Sequence, residues 1–225
     1  MAASACLTVA GMHLFIWLRN RRSWANLVFS VAAVAVAGVA FLELSLMHAQ
    51  TPEEFGTLLR WMHLPVFALV VALVAFVRIF LGTGRPWLGH AAWGVRLLSL
   101  IINFSVPTNL NYHEITGLRQ IEFLGESVAV AEGIRSSWTR LGELSSLLML
   151  VFVLDASIAC WRRGEGDDRH KALTVGGSIV VSFLMAAGQV ALLHRGLAQS
   201  PYYFVSLLLL GIVLAMVYEL SRDHL

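Results

Sequence analysis

Charge is scarce in this chain. Only 13% of its 225 residues are Asp, Glu, Lys or Arg, where a soluble globular chain has about a quarter. That is too little to cover a water-facing surface. A formal net charge of +2 argues against nucleic acid as a partner. The two cysteines, Cys6 and Cys160, have no C-x-x-C spacing and offer no thiol metal site. They fall near opposite faces on the topology below, so no disulfide between them is expected. No basic residue precedes the first apolar run, whereas Arg19, Arg21 and Arg22 follow it. This is the reverse of a secretory signal, so the first segment is expected to stay as a helix. Gly-rich phosphate loops, Ser nucleophile elbows, HExxH and Walker motifs are all missing. The chain therefore carries no recognisable catalytic centre of its own.

What is present is apolar. Hydrophobic residues make up 58% of the chain, and the mean hydropathy is +0.74. A bilayer-crossing helix needs roughly 20 mainly apolar residues. Seven such stretches are predicted, at about 3–18, 25–47, 61–81, 87–105, 141–161, 172–194 and 202–220. The first is short, and the fourth has Arg96 in its middle. Basic residues gather in alternate connections: Arg19, Arg21 and Arg22; then Arg85 with Arg78 one turn earlier; then Arg162, Arg163, Arg169 and Lys171. The positive-inside rule puts these loops in the cytoplasm. The expected fold is one all-α domain over 1–225, a seven-helix transmembrane bundle with its N-terminus outside and Leu225 inside. The lipid bilayer is its first partner.

One sizeable segment, about 106–140, lies outside the membrane on the outer side. It opens with VPTNLNYHEITG, whose Pro107 and asparagines suit turns. Alternating Ile121 and Phe123, a turn at Gly125-Glu126, and alternating Val128 and Val130 then read as a short β-hairpin. An isolated hairpin is marginal in water, so it is expected to lie on the helix ends as a cap. It serves either as a functional lid or as a structural plug.

Ionisable groups at membrane depth are costly and mark function. Arg96 is the deepest. Helix rise brings Glu43 and Asp155 within roughly 5–10 Å of it in depth, so an intramembrane charge pair of Arg96 with Glu43, Asp155 or both is expected. It acts either as a structural pin or as a pair that a ligand or proton breaks. His48, His63, His113 and His194 cluster near the outer face, sharing that layer with Glu43, Met47, Arg60 and Glu143. Imidazole is the commonest metal ligand and also titrates near physiological pH. No two of these histidines have a ligand spacing on one helix, so any haem or copper would have to be held between helices. The alternatives are interfacial, structural or pH-sensing histidines, and no cofactor is the leading expectation. Phe55, Trp61, Phe104, Tyr112, Trp138, Tyr202 and Tyr203 form an expected interfacial belt; the alternative is that some line an apolar pocket beneath the hairpin. Gly176, Gly177, Gly188 and Ala186-Ala187 permit close helix approach.

His113-Glu114-Ile115 looks like the start of a kinase phosphoacceptor box, but Leu118 stands where that box has Pro and the position faces outward. A broader resemblance covers most of the chain. GMHLFIWLRNRR, LLRWMHLPVF, GRPWLG, NFSVPTNLNYHEITGLRQIEFLGE, FVLDAS and MVYELSRD resemble the seven-helix N-terminal sensory region of bacterial membrane-bound sensor histidine kinases of the PAS-containing type. The resemblance implies an input domain in the bacterial inner membrane and a homodimer. It also implies cytoplasmic PAS and kinase modules acting in cis or in trans, with Tyr218–Asp223 where the continuation would start. It names no ligand and licenses no catalytic residue. The expected ligand contacts are Glu43, His48, Arg60, His63, Tyr112, His113 and His194. A small membrane haem or metal redox protein is the alternative. A proton or solute carrier is disfavoured by the absence of two-half symmetry and of paired broken helices.

Overall fold

Helix α1 spans Ala2–Arg19, α2 Trp24–Met47, α3 Pro52–Leu81 and α4 Pro86–Ser105. Strands β1 (Tyr112–Phe123) and β2 (Glu126–Arg135) follow, then α5 (Thr139–Arg163), α6 (Gly166–Lys171), a π-helical turn (Ala172–Gly176), α7 (Gly177–His194) and α8 (Val205–Arg222). These elements come from a computed structural model that describes residues 2–123, 125–194 and 205–222. Five helical segments are long and apolar enough to cross a membrane: Trp24–Met47, Pro52–Leu81, Thr139–Arg163, Gly166–Gly188 and Val205–Arg222. This is the build of a multi-pass membrane protein. Helices α1 and α4 fall short of that measure, the first by length and the second through its polar content, which includes His90, Arg96 and Asn103.

Helix α3 begins at Pro52, well before the expected start near 61, and the reason is local chemistry. Thr51 is its N-cap, and its hydroxyl accepts from the Glu54 N–H at 3.2 Å. Pro52 occupies the first helical position, where no backbone donor is lost. The Glu54 carboxylate reaches back to the Gln50 N–H at 2.9 Å, close to the reciprocal arrangement of a capping box. TPEEFG, which the expected spans leave in the connection between 47 and 61, is thus the first turn of a helix. The connection WRRGEGDDRHK is likewise mostly helical, because α6 begins at Gly166 and runs through the π turn into α7. Inserted π turns mark functional positions in many helices.

The main core joins all the long helices through residues such as Phe29 (α2), Phe76 (α3), Phe152 (α5), Ile179 (α7) and Met216 (α8). Small residues set the closest approaches. A Cβ on Gly89 of α4 would stand 2.8 Å from Val74 Cγ1 of α3, and one on Gly38 would stand 3.2 Å from Pro65 Cβ. A Cβ on Gly176 would overlap the Ser157 hydroxyl of α5, as the glycine pattern anticipates, whereas Gly177 and Gly188 have open space. Many outward residues are large and apolar, including Phe15, Phe41, Ile101, Leu147, Leu184 and Leu214. That surface suits acyl chains and not water. Cys6 and Cys160 are separate buried thiols.

The hairpin forms as the alternation predicts, although β1 begins at Tyr112 and is longer than expected. The strands pair antiparallel from Tyr112↔Arg135 to Phe123↔Glu126, with irregularities between Tyr112 and Glu114 and between Ile115 and Gly117. Gly125, at φ 84°, takes the left-handed position of the turn. A second apolar cluster seats the hairpin on the ends of α2 and α3: Leu46, Ala49, Phe55, Val128 and Ala131 are buried together. Phe55 therefore belongs to this cap core and not to an interfacial belt. Trp61 and Phe104 are exposed and meet edge-to-face at 5.4 Å. Tyr202 and Tyr203 lie outside the described residues.

Candidate functional site

The loop between α4 and β1 is wired onto α3 by polar side chains. Arg60 donates from Nε to the Thr108 carbonyl and from Nη2 to the Val106 carbonyl, both at 2.8 Å, and also contacts the Pro107 carbonyl. Asn103, fully buried, donates to the Arg60 carbonyl at 2.9 Å and accepts from the Leu110 N–H at 2.9 Å. The Asn109 side chain donates to the Gly56 carbonyl and accepts from the backbone N–H groups of Asn111 and Tyr112. Asn109 was legible in the sequence only as a turn former, and Asn103 only as part of a helix. Their side-chain amides close both donor and acceptor sets where no water reaches, as buried polar groups require.

Beneath this loop His63 bridges two elements. Its Nε2 lies 3.0 Å from Asn111 Oδ1, and its Nδ1 lies 3.5 Å from Arg96 Nη2. An arginine has only donors, so Nδ1 must accept and Nε2 must carry the hydrogen donated to Asn111. His63 and Arg96 are both buried, and Arg96 Nη1 lies against Gly142 of α5, where a Cβ would stand 3.2 Å from it.

The expected charge pair is not formed. Glu43 faces the start of α8, where both carboxylate oxygens take the Ser206 N–H, at 3.2 and 3.4 Å. A helix N-terminus offers unsatisfied N–H groups and a favourable dipole to an anion. Asp155 accepts from the Arg85 N–H at 2.8 Å and pairs with its guanidinium at 3.8 Å. Each carboxylate points toward a different neighbour.

The seven expected ligand contacts do not converge on one pocket. Arg60, His63 and Tyr112 meet around the loop, Tyr112 through its backbone and its packing on the cap core. His48 is exposed, and its Nδ1 bonds back to the Leu44 carbonyl at 2.8 Å. His113 lines a shallow recess of about 310 Å³ with Ile134, Arg135, Ser136, Ser137 and Trp138, residues that include neither Arg60 nor His63. The His194 side chain lies outside the described residues. Among the described residues no group of three or more His, Cys, Asp or Glu side chains is placed to hold a metal ion.

A cluster at the other end of the bundle went unread in the sequence. Glu219 of α8 is 0% exposed and lies 2.8 Å from His170 Nδ1 of α6 and 3.4 Å from Arg222. Asp167 of α6 pairs with Lys171 at 3.2 Å and with Arg222. The available signal was spacing: Asp167, His170 and Lys171 share one helical face, as do Glu219 and Arg222. No family model matches the chain, and no curated protein matches it in sequence.

Proposed function

We propose that this chain is a membrane-embedded input domain for bacterial signal transduction in the inner membrane. Seven helices cross the bilayer, with the N-terminus outside and the C-terminus inside. The polar layer around Arg60, His63 and the 106–113 loop receives a stimulus on the outer side. Helix α8 carries the response to a cytoplasmic PAS or kinase module, in cis or in trans, within a homodimer. The observation that carries this reading is that α8 is clasped by a carboxylate at each end. At its start Glu43 of α2 caps the Ser206 N–H. At its finish Glu219 engages His170 of α6. An element tied at both ends to different neighbours can report a shift between them. A ligand moves such an equilibrium only through its different affinity for the two arrangements.

Two measurements test this. Reporter tags at Met1 and Leu225 should label opposite sides of the membrane, and labelling on one side would overturn it. With a histidine kinase core fused after Leu225, His63→Ala and Glu43→Ala should each shift kinase output while the fusion still inserts. Unchanged output in both would remove the signalling role.

A further inference from the structure

Arg96 sits near the middle of α4 and is only 7% exposed. Its one polar partner among the described residues is the neutral His63 imidazole, at the long distance of 3.5 Å. Its Nε and Nη1 donors have no acceptor among the described residues, and no described carboxylate lies within salt-bridge reach. The acids that could have neutralised it are committed elsewhere, Glu43 to Ser206 and Asp155 to Arg85. Arg60, one turn before His63 on α3, is satisfied by loop carbonyls and brings no carboxylate to the site. Glu143, next to Gly142, is exposed. An isolated charge removed from water carries a very large solvation penalty, and ionisable groups at membrane depth are found paired.

We propose that Arg96 is the anchor of a binding site for a small monovalent anion, a halide or the carboxylate of a small organic acid. The planar guanidinium offers parallel N–H donors that match such a group. The His63–Asn111 hydrogen bond holds the imidazole in the tautomer that accepts from Nη2, which orients the fork. Gly142 contributes no side chain at the Nη1 edge, where the nearest other side-chain atom to its Cβ position is the apolar Leu110 Cδ2, at 3.8 Å. Because Asn111 belongs to the outer loop, filling this site bears directly on the segment that Arg60 fastens. The inference rests on reading α4 as a membrane span and names the ligand class of the proposed outer layer. It does not depend on a kinase partner.

The test is thermal unfolding of the purified full chain in detergent, titrated with sodium chloride and separately with sodium formate, against sodium sulfate at matched ionic strength. The wild type should show a saturable rise of about 5 °C at roughly 100 times the dissociation constant. Arg96→Gln should show no saturable rise, and with sulfate alone it should unfold no lower than the wild type. Saturation by chloride alone assigns a halide site, by formate alone a carboxylate site, and by both a general small-anion site. Equal responses in the wild type and Arg96→Gln would overturn the proposal. If Arg96→Gln does not fold, the wild-type curves decide, and a linear, non-saturating response to both salts overturns it. Failure here with opposite-side termini would remove the anion site alone, whereas termini on one side would remove the membrane reading beneath it.

Discussion

Arg60→Ala should loosen the outer loop without unfolding the bundle. The substitution removes two charge-assisted hydrogen bonds of 2.8 Å, to the Thr108 and Val106 carbonyls, and the contact with Pro107. Hydrogen bonds from charged donors contribute about 1.5–3 kcal/mol each when buried. Arg60 is only half-buried, and water can replace part of each bond. About 1 kcal/mol apiece is the appropriate figure, or about 2 kcal/mol in all. The Asn103 and Asn109 contacts survive, because they use the Arg60 carbonyl and the Gly56 carbonyl and not the guanidinium. The Leu110 amide is the natural probe: it is buried and bonded to Asn103 Oδ1. A local opening cheaper by about 2 kcal/mol speeds its hydrogen exchange about 30-fold, while amides in the middle of α2 and α5 keep their wild-type rates. Arg60→Lys, whose ammonium cannot span two carbonyls as a fork, should fall between. Leu110 exchange within twofold of wild type in Arg60→Ala would refute the claim that this guanidinium holds the loop.

Gly89→Ala should lower the unfolding temperature, because its Cβ would stand 2.8 Å from Val74 Cγ1 and 3.4 Å from Phe152 Cε2; overpacking of this kind costs about 1–3 kcal/mol. Gly94→Ala, on the same helix with open space around it, should be neutral or stabilising, and equal loss in both variants would contradict the packing argument. Glu219→Gln should weaken the α6–α8 contact by about 1 kcal/mol, a modest figure because His170 and Arg222 are partly exposed and screened. A cysteine cross-link between α6 and α8 that forms at wild-type rate and yield in that variant would argue against the clasp.

The apolar stretches and the hairpin were legible because both depend on neighbours in sequence. A run of apolar residues declares a span, and the alternation around Gly125 declares two strands. The start of α3 was legible in principle too, since Thr51, Pro52 and Glu54 form a capping pattern, but the acidic pair masked it as a loop. The polar partners were not legible. Glu43, Arg96 and Asp155 are plausible partners by depth alone, yet successive helical residues turn by about 100°. Which face meets which neighbour depends on helix rotation and packing order.

By itself the chain determined that long apolar helices dominate, where charge is tolerated, and that a hairpin interrupts the series, because hydropathy and turn chemistry are local. Tertiary structure alone decided that Glu43 meets Ser206, that Asp155 meets Arg85, and that Arg96 is left facing a neutral imidazole. Those pairings join residues up to 163 positions apart, and only packing faces of fixed rotation bring them within hydrogen-bond reach.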